Sequence, residues 1–94
     1  MNHQRHFGSS SEPALREAVQ IRTLIADLDC LAQILNCDIA TEEARLGVSD
    51  HSDAAYPVIA RTLAARRDNL RVTIATLEER LIAIRHHQAS TVAA

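Results

Sequence analysis

The stretch YPVIARTLAARRDNLRVTIATLEERLIAI, residues 56–84, returns to the same helical stripe in alternating steps of four and three residues. Tyr56, Ala60, Leu63, Leu70, Ile74, Leu77, Leu81 and Ile84 fall in that series, with Arg67 as its one charged member. A strand would alternate every second residue. A 4–3 alternation instead keeps one narrow apolar seam turned toward a neighbouring helix. Charged residues cover most of the remaining circumference, so this helix has one main partner, which the rest of the chain must supply.

The partner lies upstream. Between Ser11 and Leu46 nothing breaks a helix: Ser11 can cap it, Pro13 suits a first turn, and Glu12 and Glu17 complement the helix dipole. Gly47 then offers a residue free to turn left-handed and end the helix. The expected organisation is a disordered N-terminal tail over 1–10, a helical hairpin over 11–88 and a frayed C-terminus over 89–94. Within the hairpin, one helix spans 12–46, a loop 47–52 and a second helix 53–88. Pro57 complicates that second start. Either a short turn at 53–56 precedes a kink, or the main helix begins near the proline.

Composition agrees with an all-α class. The 94 residues include two Gly, two Pro, one Phe, one Tyr and no Trp, leaving aliphatic side chains to build any core. All ten basic residues are Arg, a bias typical of GC-rich bacterial coding. A net charge of −2 excludes a uniformly basic nucleic-acid binder. No apolar run approaches the roughly 18–20 residues of a membrane span, and the first ten residues lack the apolar stretch of a signal peptide. The expectation is a cytoplasmic protein with no membrane partner and with Cys30 and Cys37 reduced. Two turns apart on one helix, about 10 Å by helical rise, these cysteines cannot bridge each other. They are expected at the edge of the apolar face.

Helix one carries a wider apolar arc than helix two. Ile21, Leu28 and Leu35 form one row, Leu24 and Leu31 a second, Ile25, Ala32 and Ile39 a third, and Ile34 widens the face further. One neighbour cannot cover such an arc, and a lone hairpin has too little core to offset the entropy of ordering it. The two-helix antiparallel hairpin, coiled-coil-like, is therefore expected to form a homodimeric four-helix bundle, helix one packing on helix one. The expected dimer and core interface is Ile21, Leu24, Ile25, Leu28, Leu31, Ile34, Leu35 and Ile39. Leu63, Leu70, Ile74, Leu77, Leu81 and Ile84 are the hairpin seam. Residues 12–46 hold seven acids and three bases, residues 52–88 four acids and six bases, a bias that suits antiparallel arms.

Arg67 interrupts the seam near the level of Leu35, and Asp38 interrupts the row of Leu24 and Leu31. A polar layer joining Asp38 and Arg67 would fix register more than it would add stability. The competing possibility is an Arg67 stem lying on the seam with its head in water.

Chemistry is sparse. Asp38, Glu42, Glu43, Asp50, His51 and Asp53 cluster near the loop, yet their spacing fits neither a calcium loop nor a bundle di-iron site. His3 and His6, with His86 and His87, make two pairs near the ends, expected in solvent. There is no nucleophile with a recognisable base and no glycine-rich phosphate loop. The expectation is a non-enzyme with no cofactor, no catalytic residue and no metal ligand, serving another, unidentified protein as adaptor, regulator or assembly factor. The alternative is a nucleic-acid-binding regulator using Arg61, Arg66, Arg71, Arg80 and Arg85 as a basic stripe. Interleaved acids and the lack of stacking aromatics count against it.

Overall fold

The computed structural model describes the backbone of residues 3–93 and the side chains of residues 12–89. Two helices, α1 (His3–Leu46) and α2 (Val58–Ala93), pack against each other as an antiparallel hairpin. The molecule measures 69 × 20 × 14 Å, with a radius of gyration of 20.6 Å, against about 12 Å for a compact chain of this length. It is a rod two helices wide.

Both ends of the expected hairpin move outward. The stretch 3–10, expected as a disordered tail, continues α1, and α2 runs through 89–93, expected to fray; Met1, Asn2 and Ala94 lie outside the described residues. Pro13 accordingly sits inside α1 and not in its first turn. Its ring angle is compatible with a helix, and what it removes is the one N–H directed at the Ser9 carbonyl.

The connection is built from three local devices. Gly47 takes φ 69°, and the Val48 N–H reaches back to the Glu43 carbonyl at 3.2 Å, a Schellman end to α1. Asp50 then accepts from the Ser52 N–H and hydroxyl, and Asp53 from the Ala55 N–H, making two successive Asx turns. Lastly, the Pro57 carbonyl accepts the Arg61 N–H, so α2 opens at Val58. The helix expected from 53 therefore starts five residues later. A proline four residues inside would have lacked the N–H that bonds back to the cap, whereas just ahead of the first turn it loses nothing.

Burial shows the register. On α1 the sheltered positions run Ala14, Ala18, Ile21, Ile25, Leu28, Ala32, Leu35, Ile39 and Glu42, a continuous 4–3 series. On α2 they include the whole expected seam, with Ile74 and Ile84 buried and Leu63, Leu70, Leu77 and Leu81 half-buried. Two clusters result. Ile39, Tyr56 and Ala60 close the loop end, and Ala60 is wholly inaccessible. Ala18, Ile21 and Ile84, packed by Ile25, Leu77 and Leu81, hold the open end.

Candidate functional site

The hairpin has two broad faces, one on each side of the seam. On the first, α1 presents Glu17, Leu24, Leu31 and Asp38 at seven-residue intervals, with Ile34 beside them. Across the seam α2 presents Ile59, Arg66, Thr73 and Arg80. On the second, α1 presents Arg22, Asp29, Asn36 and Glu43, and α2 presents Ala64, Arg71, Glu78 and Arg85. Two contacts across the seam fix this division: Arg80 donates to both carboxylate oxygens of Glu17 at 2.8 and 2.9 Å on the first face, and Arg67 reaches Asn36 toward the second.

The eight residues expected to form a dimer and core interface are split by this geometry. Ile21, Ile25, Leu28, Leu35 and Ile39 turn toward α2. Leu24, Leu31 and Ile34 do not, and remain 45%, 49% and 50% exposed on the first face. Leu31, Ile34, Leu35, Arg66 and Leu70 line a shallow groove of about 380 Å³ there. Four threonines, Thr41, Thr62, Thr73 and Thr76, stand along the same side, each hydroxyl donating to the carbonyl four residues back in its own helix at 2.9–3.1 Å. Their polar atoms are already partnered.

Arg67 does not meet Asp38 but a different residue of α1. Arg67, its side chain 18% exposed, donates through Nη1 to Asn36 Oδ1 at 2.9 Å and through Nε and Nη2 to Asp68. Asp38 is exposed on the first face, 100° away from the buried Ile39 beside it. The Asp38–Arg67 pair is therefore corrected to Asn36–Arg67. Cys30 and Cys37 are corrected as well: both are exposed, opposite the seam and not at its edge.

A second concavity, of about 330 Å³, lies by the loop on the second face, lined by His51, Tyr56, Arg61, Ala64, Ala65 and Asp68. Tyr56 donates to Glu43 at 2.8 Å, His51 Nε2 stands 3.4 Å from the same Glu43 oxygen, and the Arg61 guanidinium lies 5.2 Å above the Tyr56 ring. Burial and the Glu43 bond hold the Tyr56 hydroxyl above its ordinary pKa. These groups satisfy one another and tie the loop to α1. Among the described residues no group of three or more His, Cys, Asp or Glu could hold a metal ion. In the sequence the loop-end cluster leaves one signal, an aromatic at the first seam position.

The five arginines of the alternative stripe divide between faces. Arg66 and Arg80 lie on the first, Arg71 and Arg85 on the second, and Arg61 is engaged with Tyr56 and the Asp53 carbonyl. Arg80 is taken up by Glu17, and Arg71 stands 3.9 Å from Asp68. Side chains of His3 and His6 lie outside the described residues, while His86 and His87 are exposed. Among the described residues no helix is long and apolar enough to cross a membrane. In comparisons with known proteins, no family model, curated protein or solved structure matches this chain.

Proposed function

We propose that this chain is a non-catalytic protein-interaction module, a helical hairpin that self-associates into a homodimeric four-helix bundle and serves another protein as adaptor, regulator or assembly factor. The observation that carries this reading is the row Leu24, Leu31 and Ile34, left half exposed beside a seam that is already filled. The total accessible area is 7016 Å², against about 5,400 Å² for a compact monomer of 10.3 kDa. A rod two helices wide thus carries apolar surface that a second chain can cover. Its concavities are shallow, one lined mainly by aliphatic side chains and the other by groups largely paired with one another, which favours a binding role over a catalytic one. Exposed, unbridged Cys30 and Cys37 suit a reducing compartment such as the cytoplasm.

Sedimentation equilibrium at micromolar concentration tests the first step, with a dimer expected. A compact monomer that melts cooperatively would overturn it. Affinity capture from the native host tests the second, with a defined protein partner expected. Salt-titrated gel shifts with generic RNA and DNA address the alternative: binding that falls steeply as salt rises would replace the adaptor reading.

A further inference from the structure

We infer that the first face is the dimer contact, and that the second copy sits on it with both loops at the same end, α1 of each chain lying against α2 of the other. This deepens the self-association proposed above and rests on it.

Three observations select this face. It holds the central groove and the exposed Leu24, Leu31 and Ile34, whereas the second face is charged at its centre by Arg22, Asp29, Arg71 and Glu78. The second face has a smaller apolar cluster only toward the open end, at Leu15, Val19 and Ile82. The threonines of the first face have hydroxyls bonded within their own helices, so covering them strands no donor. From residue 17 to residue 38 the face runs about 32 Å at helical rise. Across the 20 Å width of the hairpin that makes roughly 600 Å² per chain, enough to clear the ~1,000 Å² total of a specific interface.

Charge selects the orientation. Over residues 17–41 the α1 edge of this face carries only acids, Glu17, Asp27 and Asp38, and over 59–83 the α2 edge carries only bases, Arg66 and Arg80. A two-fold axis parallel to the rod brings the acidic edge of each chain to the basic edge of the other. The Arg67–Asn36 bond places Arg66 near the level of Asn36, so Asp38 of the second copy lies two residues away, about 3 Å along the axis and within reach of the guanidinium. Among the described residues neither Asp38 nor Arg66 has an ion pair in its own chain. The opposite stacking, with loops at opposite ends and α2 on α2, would set the two Arg66 side chains against each other at the centre of the groove. That arrangement places like charges in contact and is disfavoured.

Sedimentation of purified variants tests the face and the orientation. Leu31→Asp is expected to weaken the dimer about a hundredfold or more, since it buries two carboxylates, while Val19→Asp leaves it unchanged. Arg66→Asp and Asp38→Arg are each expected to weaken self-association roughly tenfold, and an equimolar mixture of the two to recover a heterodimer of wild-type strength. That arm stands even where Leu31→Asp fails to fold. Spin labels at Ser49→Cys, with Cys30 and Cys37 replaced by Ala, are expected within about 30 Å of each other, against about 50 Å for opposed loops. A wild-type monomer overturns the self-association itself. A wild-type dimer that resists Leu31→Asp but yields to Val19→Asp overturns only the face. Failure of the mixture to recover, or labels near 50 Å, overturns only the orientation.

Discussion

Arg67 spans the seam to Asn36, donating through Nη1 to the amide oxygen at 2.9 Å in the middle of an otherwise aliphatic row. The contact joins a charged group to a neutral one, so neither carboxylate desolvation nor a buried ion pair enters its balance. What it adds is positional. Slipping α2 by one seam position would put the guanidinium against Ala32 or Ile39 and leave the amide unpaired.

Arg67→Leu is therefore expected to hold or raise the melting temperature, because a leucine fills the seam and the half-buried Asn36 can turn to water. The same variant is expected to broaden the distribution of oligomers. Thermal denaturation followed by circular dichroism, together with sedimentation velocity, reads both. A sharply lower melting temperature with a single unchanged species would contradict this account.

Ile39 is buried between Tyr56 and Ala60 at the loop end. Ile39→Ala is expected to destabilise the fold by about 2–4 kcal/mol through lost burial and an unfilled cavity. Urea denaturation measures it. A loss below 1 kcal/mol would mean that the cluster is not packed as described.

Gly47→Ala tests the helix end alone. Nothing lies within 4 Å of the position a Cβ would take, so the change meets only the backbone conformation at φ 69°. The expected loss is about 1 kcal/mol, read from the same denaturation curves. A neutral result would show that the Schellman end is not formed in solution.

Stability is expected to form a plateau bounded by named groups. The Arg80 hydrogen bonds hold Glu17 below the ordinary 4.5 of a glutamate, and the Ser52 hydroxyl and N–H hold Asp50 below the ordinary 3.8 of an aspartate. A carboxylate with a depressed folded pKa contributes above its unfolded value and loses that contribution as pH falls through the folded one. Tyr56 is shifted up from 10.0, so its contribution is complete below that value and disappears as pH rises through the folded pKa. Denaturant midpoints should thus be flat between about pH 5 and 9 and fall on either side. Glu17→Gln should flatten the acid limb and Tyr56→Phe the alkaline one. Unchanged limbs in both variants would remove these groups from the explanation.

The α2 seam was legible from residues 56–84 because a 4–3 rhythm broken once has few other meanings. On α1 the rhythm was hidden. Leu24 and Leu31 recur every seven residues just as Ile21, Leu28 and Leu35 do, and composition alone does not say which row meets α2. The same ambiguity put Asp38 in the seam: it continues the row of Leu24 and Leu31, which proves to be the flank. Asn36, its neighbour two residues earlier, carried no such pattern. For a related reason the sequence does not place Cys30 and Cys37, since a broad apolar arc has no sharp edge from which to measure. The loop was legible at Gly47 but not at Pro57, where the two starts differed by only a few residues.

The two clusters lie at opposite ends of the rod, and this separation sets an order of events. Joining Ile39 to Ala60 encloses about 20 residues, whereas joining Ala18 to Ile84 encloses more than 60, and closure entropy grows with the chain enclosed. Assembly should start beside the turn and zip toward the free ends. Ile39→Val is then expected to slow refolding and Ile84→Val chiefly to speed unfolding, a contrast that the two arms of a chevron plot would record.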